Sequence, residues 1–227
     1  MEIVRTVYEI GFYKLLDFRD YYREIINPYF IVPNAKFQIQ KEGTSDESIR
    51  MVFPESNSYL FFRSERISYQ YDGDCSDLEK GSSDLKTAFS VLESLKKKAS
   101  FFKGIHETIM CVGIKEINTT KAQILERLHE INNLAVDIED SDIALIQEGK
   151  YKGWDTHLKY GNYNHEVDVG SESLFTLDNT KNEKYKDVNG LIVSCRLNRK
   201  QSNFDMRSYK ECSKIAQKLI KETSVKY

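Results

Sequence analysis

The sequence predicts an α+β protein whose antiparallel-dominated sheets pack against helices, arranged as two similarly organised halves, residues 1–103 and 104–227. Three observations predict it. Apolar residues recur at a period of two in several short segments and at three and four in others, so both element types are present. Fourteen Tyr and twelve Phe stand against three Pro and eleven Gly, a balance that favours packed strands over a loop-rich scaffold. The order strand, helix, several strands, helix is then met twice along the chain.

Residues 2–12, rich in β-branched and aromatic types with no breaker before Gly11, read as a strand. From Lys14 to Ile26 the positions Phe18, Tyr22, Ile25 and Ile26 recur at helical spacing, and Asn27-Pro28 ends the run because proline disfavours helix in the residue before it. Short β segments follow near 36–42, 48–53, 59–63 and 66–71, with Pro54 to Ser58 as a turn, and together they form an antiparallel meander. After the polar loop from Asp72 to Ser83, a helix over 84–99 buries Leu85, Phe89, Leu92 and Leu95.

From His106 the order restarts. Residues 106–118 read as a strand with apolar residues on both faces, as a central strand requires. Thr120-Lys121-Ala122-Gln123 has capping-box form, and the helix it opens carries Ile124, Leu125, Leu128 and Ile131 on one stripe. Strands follow near 142–148, 154–160, 163–169, 172–177 and 188–197, before a helix from Phe204 to Thr223 that turns Tyr209, Cys212, Ile215, Ala216 and Leu219 inward. Duplication rests here on element order and not on residue identities. The competing explanation is that helix, meander, helix is a common way to cover one sheet face, which makes any α+β chain of this length look doubled.

Composition bounds the functions. With 40% hydrophobic residues in 227, the chain has the material for a real core. Its 30% charged residues cancel to a formal −2, so net charge does not indicate nucleic acid or an anionic membrane, and only a local basic patch is left open. No basic start with an apolar stretch marks a signal peptide and no run approaches the ~18 apolar residues of a membrane span, so a cytoplasmic protein is expected. Cys75, Cys111, Cys195 and Cys212 form no Cys-x-x-Cys pair and read as reduced thiols.

The strand Val112-Gly113-Ile114-Lys115-Glu116-Ile117-Asn118 resembles the Gly-Leu-Arg-Tyr-x-Asn strand of a sporadically distributed family of uncharacterised bacterial proteins. In that family too the strand begins the second half, after a meander and a helix. Lys115 stands where the family has arginine, Glu116 where it has tyrosine, and Cys111 where an arginine often precedes the glycine. The resemblance covers the organisation of most of the chain. It implies a fold and a bacterial or phage-associated setting, with no activity attached.

Phosphate-binding signatures are missing: neither Gly-x-x-x-x-Gly-Lys-Ser/Thr nor Gly-x-Gly-x-x-Gly occurs, and no cofactor is indicated. No Gly-x-Ser-x-Gly elbow is present either. Asp72-Gly73-Asp74-Cys75-Ser76-Asp77 opens like a calcium loop but puts Asp77 where the turn needs glycine and Ser83 where a bidentate glutamate belongs, so it reads as a solvated turn. Asp137, Glu139, Asp140 and Asp142 read as a polar connection.

The richest constellation lies in residues 154–169. Taking Gly161-Asn162 as a two-residue hairpin turn sets His157 opposite Glu166 and Asp155 opposite Asp168. Those four could hold a divalent metal or supply an acid/base pair, which makes a metal-dependent hydrolase or nuclease one reading. The other face of the same hairpin carries Trp154, Leu158, Tyr160, Val167 and Val169, so an amphipathic hairpin with a wet carboxylate face is the simpler explanation of the pattern. No catalytic residue and no metal ligand is assigned on this basis. A nucleic-acid module is the third reading, resting on Arg196, Arg199, Lys200 and Arg207, with Phe204 the one aromatic nearby.

The preferred expectation is a non-catalytic protein-binding or assembly subunit, taking a protein partner or a second copy, in a bacterial multiprotein system such as phage defence. Its physical motive is surplus aromatics. The stripe Phe18, Tyr22 and Ile25 claims the core, which leaves Tyr13, Tyr21, Tyr29 and Phe30 for an interface, unless Tyr29 and Phe30 cap the core instead.

Overall fold

The computed structural model describes residues 1–16, 18–29, 36–54, 56, 58–74, 83–99, 102–117, 119–132, 143–163, 190–201 and 204–226. In chain order the elements are β1 (Glu2–Phe12), α1 (Phe18–Ile26) closed by a 3₁₀ turn (Asn27–Tyr29), β2 (Lys36–Gln40), β3 (Ser48–Phe53), β4 (Ser58–Arg63), β5 (Arg66–Tyr71) and α2 (Ser83–Lys98). Then come β6 (Gly104–Glu116), α3 (Lys121–Asn132), β7 (Ile143–Tyr151), β8 (Trp154–Tyr163), β9 (Gly190–Lys200) and α4 (Met206–Lys226). The described strands form a sheet in the order β2-β3-β4-β5-β1-β6-β9-β8-β7. The pairs β2/β3, β3/β4, β4/β5, β1/β5 and β7/β8 are antiparallel, and the α+β class expected from the sequence is the class observed.

The chain forms two compact units, each assembled from separate segments. One comprises Thr6–Ile109 with Asn198–Lys214, the other Met1–Arg5 with Met110–Leu197 and Ile215–Tyr227. Each boundary falls inside a regular element: β1, β6, β9 or α4.

In the first unit the period-two alternation separates the sheet faces. Ser58, Leu60 and Phe62 of β4 are buried while Tyr59, Phe61 and Arg63 are half-buried on the other side. The buried face receives α1, where Phe18 packs edge-on to Phe62 with ring centroids 4.9 Å apart. It also receives α2, which buries Leu85, Leu92 and Leu95 as expected and Ala88 and Val91 besides, while Phe89 is half-buried and not fully inside as the spacing suggested. Asp84, near the start of α2, accepts the Ser58 hydroxyl at 3.0 Å and so ties that helix to β4.

In the second unit Ile124 of α3 packs with Tyr160 of β8 and with Leu191 and Val193 of β9. Gly113 of β6 lies under the side chains of Met1 and α4: a Cβ there would stand 2.9 Å from the Met1 side chain and 3.1 Å from Ile220 Cγ2, so a larger residue would have to displace the Met1 chain. The capping box forms as predicted, with Gln123 N–H donating to Thr120 Oγ1 and Thr120 N–H to Gln123 Oε1.

Three expectations change. The hairpin turn does not fall at Gly161-Asn162, because β8 runs through both residues to Tyr163. The turn is Lys152-Gly153, with φ of 49° and 85°, and both positive angles give the reversal whose twist matches the flanking strands. The first helix begins at Phe18 and not at Lys14, leaving residues 13–16 as a connection. The strand near 36–42 stops at Gln40, where Lys41 turns the chain with a φ of 51°. The strands expected near 163–169 and 172–177 lie almost wholly outside the described residues.

Candidate functional site

With the hairpin turn at Lys152-Gly153, the partners of the proposed polar cluster change. His157 stands opposite Glu148, its Nδ1 3.2 Å from the carboxylate, and Asp155 stands opposite Lys150 in an exposed 3.7 Å ion pair. Glu166 and Asp168 lie outside the described residues. Among the described residues no group of three His, Cys, Asp or Glu converges as metal ligands would. Exposed cross-strand ion pairs of this kind contribute little to stability. Cys111, Cys195 and Cys212 are buried and joined in no disulfide among the described residues, and Cys75 lies outside them.

The interface candidates are distributed differently from expectation. Tyr29 is half-buried at the end of the 3₁₀ turn, Phe30 lies outside the described residues, and Tyr21 belongs to α1 with its side chain outside them. Among the described residues the most exposed large apolar side chains sit earlier, at Tyr13 (55% exposed) and Leu16 (92% exposed), with Ile39 and Ile105 exposed to a lesser degree. Leu15 donates its N–H to Ser64 O at 2.8 Å and turns its side chain inward; Leu16 remains in solvent. Starting the helix four residues early in the sequence hides this residue among helical positions.

Beside Leu16 opens a cleft of about 390 Å³, in which Leu15, Leu16 and Phe18 face Thr44, Ser45 and Glu47. The loop on its far side is fixed from within. Glu47 is buried and accepts the Tyr22 hydroxyl at 2.5 Å and the Gly43 N–H at 2.7 Å. Burial, and then the hydrogen bond to Glu47, raise the Tyr22 hydroxyl above its ordinary pKa. The walls are therefore set before anything binds.

A second polar cluster went unseen in the sequence. Glu107 of β6 is fully buried; its carboxylate accepts the Tyr8 hydroxyl at 2.6 Å and the Arg199 Nε–H at 3.0 Å. Ser208 Oγ lies 2.6 Å from both Glu107 oxygens and accepts from Arg199 at 2.6 Å. Arg199 also reaches Glu211 at 3.2 Å. Burial, followed by the charge of Glu107, pushes the Tyr8 hydroxyl well above its usual pKa. The hydrogen bonds of the cluster link Ser208 and Glu211 of α4 to Tyr8 of β1, Glu107 of β6 and Arg199 of β9, an arrangement that suits fastening α4 to those strands. Arg199 faces this carboxylate, whereas Arg196, Lys200 and Arg207 are exposed.

The half-buried face of the first unit's sheet is the third feature. The Arg50 guanidinium lies over the Tyr59 ring and that of Arg63 over the Phe61 ring, each 4.4 Å from the centroid. Arg50 is cross-strand from Phe61, and Arg63 from Arg66. Arg66 pairs with Glu9 at 3.3 Å, and Tyr59 donates to Asp72 at 3.2 Å. A signal for it was present: Tyr59, Phe61 and Arg63 occupy alternate positions of one strand, and alternation places them on one face.

Fold and surface thus define a sheet-and-helix protein with an exposed apolar corner and a cation–aromatic face. No protein-family model matches the chain, and no curated protein matches it.

Proposed function

We propose that this protein is a non-catalytic binding subunit whose protein partner seats an apolar side chain in the cleft beside Leu16. The observation that carries the reading is Leu16, 92% exposed at the lip of a walled cleft with Tyr13 exposed three residues earlier. A lone exposed leucine is unremarkable, but one beside a cleft with an aromatic neighbour has the makeup of an interface anchor. Covering such a side chain is worth about 1.5–3 kcal/mol, enough to change affinity by one to two orders of magnitude. The bacterial, phage-associated setting comes from the resemblance of the Gly113–Asn118 strand. Duplication of the two halves belongs to the same proposal. Its support is that the first strand of each half neighbours that half's last strand, in the orders 2-3-4-5-1 and 7-8-9-6.

The experiment is affinity capture from the native host with the wild-type chain and with Leu16→Asp, beside light scattering of both purified proteins. The reading expects one partner, or a second copy, held by the wild type and lost by a variant that melts at the same temperature. Equal capture by both chains, or a monomer that captures nothing yet turns over a substrate, overturns it.

A further inference from the structure

The cation–aromatic face has unspent chemistry. Among the described residues neither Arg50 nor Arg63 pairs with a carboxylate or donates a hydrogen bond, although each guanidinium is held over a ring. The Nε of Arg63 is buried without an acceptor, which leaves that group's hydrogen-bonding capacity unmet inside the protein. Lys36 of β2 lies on the same face through its register with Val52, itself opposite Tyr59. Among the described residues of this face, Lys36, Arg50, Arg63 and Arg66 meet the carboxylates of Glu9 and Asp72, an excess of positive charge on a chain whose formal net charge is −2.

We propose that this sheet face binds single-stranded RNA, with Tyr59 and Phe61 and their overlying guanidinium groups as stacking platforms and Arg50 and Arg63 as phosphate donors. Spacing favours a single strand. Tyr59 and Phe61 sit two residues apart on β4, about 6.8 Å at ordinary strand rise, whereas bases in a duplex follow one another at about 3.4 Å per strand. Platforms so spaced accept bases splayed from an extended chain, each base stacking on the guanidinium plane that overlies its ring. Gln38, exposed and opposite Arg50, sets an amide donor and acceptor beside the platform, the pair of functions a ribose 2′-hydroxyl satisfies and deoxyribose does not. An acidic peptide would use the cations but leave the platforms empty. The face shares no residue with the Leu16 cleft, so it stands or falls independently of the protein-partner reading.

Fluorescence anisotropy of the full chain with labelled oligouridylate tests this, with oligothymidylate, duplex RNA and polyglutamate as competitors. The expected result is saturable binding of oligouridylate, tighter than of the other three, weakening as salt rises. Arg50→Gln with Arg63→Gln lowers the slope of log affinity against log salt by about 1.4, two phosphates at about 0.7 each. Tyr59→Leu or Phe61→Leu weakens binding about tenfold while retaining apolar bulk. Thermal melting controls for folding; should a ring variant fail to fold, the arginine pair still decides. No saturable binding, equal binding of oligothymidylate or duplex, competition by polyglutamate at equal concentration, or affinity unmoved in every folded variant overturns the proposal.

Discussion

Glu107 is a residue of the first unit on which three side-chain partners converge. A buried carboxylate holding Arg199, Tyr8 and Ser208 stabilises only as a set, because removing one member strands the charge of another. Glu107→Ala is therefore expected to lower stability by about 3–5 kcal/mol in urea unfolding, as measured for single truncations of buried ion pairs. Tyr8 adds a pH dependence whose sign is fixed. Its hydroxyl titrates higher folded than unfolded, so its contribution is complete below about pH 10 and drains away as pH rises toward the folded value. Tyr8→Phe should weaken the protein at pH 7 by about 1–3 kcal/mol for the lost bond to a charged acceptor, yet flatten the stability loss between pH 10 and 11. Urea titrations at both pH values check it, and an unchanged alkaline slope would contradict the assignment.

At the scale of elements, local chemistry marks where segments end and tertiary pairing decides which turn is used. Helices α2, α3 and α4 were legible in the sequence because apolar spacing and caps are local: the Thr120–Gln123 box forms as written, and Asp205 caps α4 through the Ser208 N–H at 2.8 Å. The hairpin was misplaced because Gly161-Asn162 and Lys152-Gly153 both permit a turn, and only the register of β7 on β8, which sets Glu148 opposite His157, decides between them. The buried Glu107 was invisible for a different reason, since its partners lie far off in sequence, on β1, β9 and α4. The cation–aromatic face was half-visible: alternation gives its side, but only the sheet order brings Arg50 to Tyr59. Two substitutions test this reading of termini. Gly153→Ala, at a φ of 85°, should cost about 1 kcal/mol or more, whereas Gly161→Ala, inside β8, should cost less. Asp205→Ala should cost about 1 kcal/mol through the lost cap. Equal costs at the two glycines in denaturant melts would return the turn to Gly161.

For the whole molecule the consequence lies in how its units are cut from the chain. Each is discontinuous, and the boundaries run through β1, β6, β9 and α4, so no single cleavage in a loop releases either one. A fragment of residues 1–103 would carry Tyr8 without Glu107, Arg199 or Ser208, and β1 without β6 beside it. It would thus expose an unpaired strand edge and leave a buried hydroxyl unbonded, both costly to a small fold. Residues 1–103 alone are therefore expected to lack a cooperative melt, and mixing them with residues 104–227 should restore one by supplying the missing strand and carboxylate. Amide-proton dispersion and thermal unfolding of the separate and mixed fragments check this. A 1–103 fragment that is well dispersed and melts cooperatively by itself would show that the Glu107 network and the β1/β6 pairing are dispensable to the first half, and that it stands as a domain of its own.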